Sequence, residues 1–205
     1  MAKGANDIIL RDRLQFDIDA NGDTSLVYGR IDLSDYVSIP EAKGLAIKEI
    51  RFQLRTRVSA DNGVWPNFMS STQTQQYSAN PSARSYVKLF ATTTAYEEIV
   101  DVGIGSPNVL CVFDKQSLLL GVGDPANNRP DSITTDTYEH MFGTPDLHPE
   151  GYDVVTDLLI GISLEGCTHP SLADSTAEVD VMIIAEKKKI TSKDLTQMLS
   201  QAQDV

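Results

Sequence analysis

Residues 45–58 read LAIKEIRFQLRTRV, and the parity of this stretch sets the reading of the rest of the chain. From Ile50 onward the apolar or β-branched residues Ile50, Phe52, Leu54, Thr56 and Val58 share one parity, while Glu49, Arg51, Gln53, Arg55 and Arg57 share the other. Side chains of an extended chain alternate between faces, whereas a helix groups positions i, i+3 and i+4. The pattern therefore predicts an antiparallel strand with one buried and one wet face. Arg51, Arg55 and Arg57 then stand on the wet face. Outward charge keeps sheets from associating, so these arginines form either a solvated, edge-protecting face or a contact surface for another chain.

Upstream, Asp7 to Asp19 alternates in the same way, with Ile8, Leu10, Leu14, Phe16 and Ile18 on the inward parity. Asp12 breaks that parity and predicts a bulge or an early strand end. Asn21-Gly22 follows, then Leu26-Val27-Tyr28, which reads as a hairpin because Asn-Gly supplies the positive φ of a tight connection. Asp17, Asp19 and Asn21 also match the first half of a calcium loop. Such a loop needs a Glu at its twelfth position, which here is Tyr28, so the turn reading is preferred. Arg30 to Ile39 alternates up to Pro40, which ends a strand ladder.

Downstream the composition changes. A Ser-, Thr- and Gln-rich run from Ser70 to Ser85, preceded by Trp65-Pro66, reads as a long surface loop suited to specific contacts. Tyr86 to Ala95 reads as a strand, and Tyr96 to Val102 as a helical turn or a strand end. Val109 to Val122 reads as two short strands around Asp114-Lys115-Gln116-Ser117, and the Pro-, Asp- and Asn-rich residues from Gly123 to Gly151 as a second long loop. His140 and His148 fall in that loop and His169 in a later turn, without the spacing of a zinc site. Val154 to Glu165 and Ala177 to Lys187 alternate cleanly and predict long central strands. At the C-terminus Thr191-Ser192-Lys193-Asp194 is an acidic capping box, and Leu195, Met198, Leu199 and Ala202 lie at i, i+3, i+4 and i+7 of an amphipathic helix.

The bulk numbers bound the function. A chain of 205 residues with 41% hydrophobic and 22% charged residues has the composition of one large globular domain. A net charge of −12 repels polyanions, so direct nucleic-acid binding is not expected. The first residues carry no apolar leader, and no run approaches the roughly 18 apolar residues of a membrane span, so synthesis in the cytosol without membrane insertion is expected. Cys111 and Cys167 are expected to be separate, reduced and buried. No nucleophile elbow, phosphate loop, dinucleotide fingerprint or His-Glu-x-x-His motif occurs, and neither catalysis nor a cofactor is expected.

Together these readings predict an all-β fold: a single jelly-roll β-sandwich over residues 1–190 with two long loops, followed by a short C-terminal amphipathic helix over residues 191–205. The early first strand, the segment GRIDLSDYVSIPEAKGLAIKEIRFQLR (29–55) and the ending VDVMIIAEKKKITSKDLTQML (179–199) resemble small capsid proteins of tailless icosahedral viruses built from one upright jelly roll. The resemblance implies a structural coat subunit located in the virion and made in the host cytoplasm. It implies self-assembly into an icosahedral shell, with copies of itself and other capsid proteins as partners and sometimes an internal membrane beneath. One departure stands out: genome-packaging coats often carry a basic N-terminal arm, and here residues 1–10 hold only Lys3. Arg51, Arg55, Arg57, Leu195, Met198 and Leu199 are the candidate subunit-interface residues. The rival reading is a non-catalytic carbohydrate- or ligand-binding β-sandwich module, with Trp65, Tyr77 and Tyr86 as stacking surfaces. Aromatic residues make up only 7% of the chain, and for Trp65 a role as a loop anchor packed on the sandwich is preferred.

Overall fold

The computed structural model describes residues 7–57, 62–63, 65, 82–124, 129–142, 151–191 and 193–196. Nine strands occur among them: β1 (Asp7–Ile18), β2 (Thr24–Ile31), β3 (Lys43–Thr56), β4 (Ser82–Thr92), β5 (Val109–Asp124), β6 (Arg129–Phe142), β7 (Tyr152–Val154), β8 (Leu158–Glu165) and β9 (Ser175–Lys189). They form two antiparallel sheets, ordered β1-β9-β3-β7 (sheet A) and β2-β8-β4-β5-β6 (sheet B). Of the eight connections between consecutive strands, six cross from one sheet to the other; β4–β5 and β5–β6 stay within sheet B. Inward residues of both sheets share one core, with Ile47, Ile50, Val181 and Ile183 from sheet A meeting Val87, Leu89, Ile160 and Ile162 from sheet B. The fold is a β-sandwich.

The parity read at Ile50–Thr56 is the one observed, with Ile50 and Thr56 buried and Arg51 and Gln53 exposed. Its continuation upstream is not simple, because Leu45 and Ile47 are also buried although they lie on the opposite parity. A register shift against β9 between Ile47 and Glu49 reconciles the two halves: one extra residue flips the chain and keeps apolar groups inward on both sides. The segments 158–165 and 177–187 are central, as β8 between β2 and β4 and β9 between β1 and β3.

Several local readings are corrected. Asp12 causes no bulge: β1 pairs with β9 in unbroken register from Asp7 to Ile18. Asp12 is exposed on an edge strand, where an inward-pointing charge is tolerated and discourages sheet-to-sheet pairing. The Asn21-Gly22 turn exists, with Gly22 at φ +81, but it does not close a hairpin. β1 pairs with β9 and β2 with β8, so the turn is a corner between sheets. Turn residues specify a reversal and leave the hydrogen-bonding partner open.

Residues 32–42 are turns and not a strand. Leu33 is fully buried, and its N–H donates to Asp157 Oδ1 at 2.9 Å. The Asp32 carboxylate accepts the Ser34 N–H at 2.9 Å and bends the chain away from the ladder. Residues 109–124 form one strand. Within the expected second loop, Arg129–Phe142 form β6, which pairs with β5 and places His140 opposite Asp114 on a strand, while His148 lies outside the described residues. The β-branched content of Ile133, Thr134, Thr135 and Thr137 is the strand signal that Pro130 and the acidic residues obscured. Residues 154–165 divide between β7 and β8, which belong to different sheets. Ser82–Ser85 belong to β4, while the rest of the Ser/Gln-rich run, including Tyr77, lies outside the described residues.

The connection 93–108 folds back over the outer face of sheet B. Beneath it a second, smaller core gathers Phe90, Val102 and Val112, with Tyr28, Tyr96 and Ile99 packed against them. The Phe90 ring meets Tyr28 edge-on at 5.8 Å and lies against Gly161, where a Cβ would come within 2.2 Å of the ring. A single 3-10 turn (Ile99–Asp101) in this connection is what the helical-turn reading of residues 96–102 anticipated.

Candidate subunit interface and side cleft

On the outer face of sheet A, cross-strand register builds rows of side chains. Arg11, Met182 and Arg51 form one row, and Arg13, Asp180 and Gln53 the next. Asp180 is clamped from both sides, by Arg13 Nε at 2.6 Å and Arg55 Nη1 at 3.2 Å. Hydrogen bonding from Arg13, aided by Arg55, holds the Asp180 carboxyl below the usual aspartate range. One step further along β9, the buried Glu178 accepts Gln15 Nε2 at 3.1 Å and lies 3.6 Å from Arg13 and 3.8 Å from Arg57.

Arg55 and Arg57 are thus engaged within their own sheet, while Arg51 pairs with Glu49 on the same strand and stays exposed. Arg11 is exposed and has no ion-pair partner among the described residues. Exposed pairs of this kind each contribute little, but here they are knitted across three strands. Arg11, Arg13, Arg51, Met182 and Asp180 border a hollow of about 670 Å³ on this sheet.

Of the candidate tail residues, Leu195 is half-buried beside a small cavity of about 170 Å³ bordered by Ile39, Pro40, Val155 and Ile190. Met198 and Leu199 lie outside the described residues. The capping box forms as read. Asp194 N donates to Thr191 Oγ1 at 3.2 Å, and Thr191 N donates to Asp194 Oδ2 at 3.3 Å. The lysine run finishes β9: Lys188 Nζ lies 2.6 Å from Asp153 and Lys187 lies over the Tyr36 ring at 5.2 Å.

A feature the periodicity could not reveal is a cleft of about 1220 Å³ between β1 and β2, the free edges of the two sheets. Its floor is apolar, with Phe16, Leu89, Ile160 and Ile162, and its rim carries Asp17, Asp19, Asp23, Glu165 and Asp174. At the rim the 19–23 corner is fixed by its own caps and by the N–H groups of Gly166, Cys167 and Asp174, which donate to Asp23 Oδ1, Gly22 O and Asp19 O. Asp19 Oδ1 accepts the N–H groups of Asn21 and Asp23, each at 2.8 Å, and Asp17 Oδ1 accepts Thr176 Oγ1 at 2.7 Å. The half calcium motif therefore supplies turn caps. No group of three or more possible metal-ligating side chains is found among the described residues.

Of the expected stacking aromatics, Trp65 and Tyr86 are occupied, and Tyr77 lies outside the described residues. Trp65 packs on the core with its ring 6.4 Å from Phe16, and the Tyr86 hydroxyl donates to Asp114 Oδ1 at 3.2 Å. Burial raises the Tyr86 phenol above its ordinary range. Cys111 and Cys167 are free and buried, and burial pushes both thiols up to about 12. His169 Nδ1 accepts the Ser171 N–H at 3.1 Å as a turn cap.

No family model and no curated protein matches the sequence. Among solved structures, the tailspike protein of Acinetobacter baumannii phage AM24 aligns at 8% identity and TM-score 0.20. The alignment covers 75% of this chain and 27% of that one, so this chain spans about a quarter of the tailspike's length. The Merkel cell polyomavirus virus-like particle aligns at 10% identity and TM-score 0.25, covering 97% of this chain and 79% of that one.

Proposed function

We propose that the chain is a structural capsid subunit that assembles with copies of itself into an icosahedral shell. The observation that carries the reading is the strand order. With β6 set aside as an extension of β5, sheet β1-β9-β3-β7 faces sheet β2-β8-β4-β5, and successive strands alternate between the sheets except at the β4–β5 hairpin. This order is the one expected of the double Greek key of a jelly roll and supports that reading of the sandwich, an architecture that serves coat proteins and lectins alike.

The arginine-bearing face of sheet A and the C-terminal helix, through Arg51, Arg55, Arg57, Leu195, Met198 and Leu199, are the surfaces assigned to subunit contact. In this reading the chain has no catalytic role, binds no nucleic acid directly, and shares the virion with other capsid proteins and, in some assemblies, an internal membrane. No described helix is long and apolar enough to cross a membrane.

The β1–β2 cleft favours a second reading, a ligand-binding β-sandwich module. Sedimentation velocity and light scattering of the purified protein from micromolar to millimolar concentration separate the two. Concentration-dependent assembly supports the capsid subunit. A strict monomer throughout overturns it, and saturable glycan binding then supports the module.

A further inference from the structure

The connection 93–108 presents two large aliphatic side chains to solvent, Val100 at 76% and Ile104 at 70% exposure. Exposed aliphatics on a floppy loop mean little, but this loop is pinned. Lys88 Nζ donates to Val102 O at 2.7 Å, Tyr96 N donates to the Tyr28 hydroxyl at 2.8 Å, Gly103 N donates to Ser106 Oγ at 2.9 Å, and Ser106 Oγ donates to Asp101 O at 2.6 Å. A rigid protrusion loses little conformational entropy on docking. Around the two aliphatics stand Glu97, Glu98 and Asp101, all exposed and without ion-pair partners among the described residues.

Among the described residues, three concave surfaces compete to receive such a knob on a second copy. The β1–β2 cleft is rimmed by five carboxylates and would repel it. The cavity beside Leu195, about 170 Å³, is too small for two aliphatic side chains with their acidic surround. The hollow on sheet A, about 670 Å³, is lined by Arg11, Arg13 and Arg51 and by Asp12 and Asp180, the last already held by Arg13 and Arg55, so cations outnumber carboxylates there; the apolar Met182 lies within it and the exposed Ile9 two residues along β1 from Arg11. We propose that the Val100/Ile104 knob of one subunit docks into the Arg11/Arg51/Met182 hollow of a second copy, with Glu98 and Asp101 facing the two arginines. The inference rests on the self-assembly proposed above. Knob and hollow lie on opposite faces of the sandwich, so the contact is head-to-tail and generates a closed ring, or an open chain if the rotation per step does not close.

The test is sedimentation equilibrium of the full chain and three variants: V100S/I104S, R11E/R51E, and R11E/R51E combined with E98K/D101K. All substituted residues are exposed, and circular dichroism checks that each variant keeps the β-sheet signal; R11Q/R51Q replaces any that does not. The first two variants are expected to weaken self-association by roughly tenfold or more, the scale of losing a central anchor. The charge-swapped combination is expected to regain most of it. If the wild-type chain self-associates and the first two variants do so equally well, the knob-and-hollow contact is wrong while self-assembly stands. A wild-type chain that stays monomeric overturns both.

Discussion

Gly161 and Asp19 show how much of this fold depends on single positions. A methyl group at Gly161 would sit about 2.2 Å from the Phe90 ring, inside any real contact distance, and Phe90 is fully buried under the 93–108 connection. G161A is expected to destabilise by about 1–3 kcal/mol, measured by urea unfolding, with G161A/F90L recovering part of the loss. Asp19 works through charge. The Asp23 N–H above all, and that of Asn21, hold its carboxyl below the ordinary aspartate range. A carboxyl lowered in the folded state stabilises above its unfolded value of about 4 and loses that effect as pH falls through the folded value. D19A is therefore expected to melt below wild type at neutral pH, and the gap should close in acid below about pH 4. Thermal unfolding across a pH series checks this, and a gap that persists undiminished at pH 2 would mean the carboxylate charge is not the stabilising feature.

The bulge in β3 sets which side chains the central strand buries. Leu45 and Ile47 face inward before it and Ile50, Phe52 and Leu54 after it, and the extra residue lets both sets reach the core. Deleting Lys48 would send Ile50, Phe52 and Leu54 to solvent or Leu45 and Ile47 out of the core. The deletion also removes the ammonium held 2.6 Å from both Asp7 and Glu186. Loss of cooperative unfolding is expected, read by circular dichroism and near-ultraviolet signal; a wild-type melting curve would show that this register is not what fixes the sheet. The alternation from Ile50 onward was visible in the residues, as were the alternation of β8 and β9 and the capping box at Thr191, whereas the parity change at Lys48-Glu49 emerges only from the pairing with β9. These are local patterns with one physical solution each. Partner choice was not legible: Asn21-Gly22 announces a reversal whether the next strand pairs with β1 or crosses to the other sheet. β6 was hidden because Pro130 and its acidic neighbours outweigh a β-branched run when propensity alone is read. The cleft between β1 and β2 depends on how two sheets splay, which no periodicity encodes.

For the whole molecule, a net charge of −12 means that copies repel unless contacts gather opposite charge, so assembly should respond to salt. Contacts through exposed arginines are screened over about 8 Å at physiological ionic strength and should weaken as salt rises. R55E also removes one of the two arginines that clamp Asp180 within one subunit, so its effect on assembly is interpretable only beside its melting temperature. The C-terminal segment offers a cleaner separation of folding from assembly. β9 is held by β1 and β3 along its length, and Ile190 is buried with its N–H donated to Ala42 O at 2.9 Å, so the sandwich is complete before Thr191. Beyond it, residues 193–196 are helical, and the three-turn helix that the sequence predicts would be marginal in water unless its apolar stripe docked on protein; of that stripe Leu195 is half-buried beside Ile190 and Pro40. Removing residues 191–205 is expected to leave the β-sheet signal intact and the melting temperature within a few degrees of wild type, while particle formation fails. Circular dichroism and particle counting by electron microscopy decide it. Loss of the β-sheet signal would place the helix in the domain's own core, and undiminished particle numbers would free the tail of any part in subunit contact.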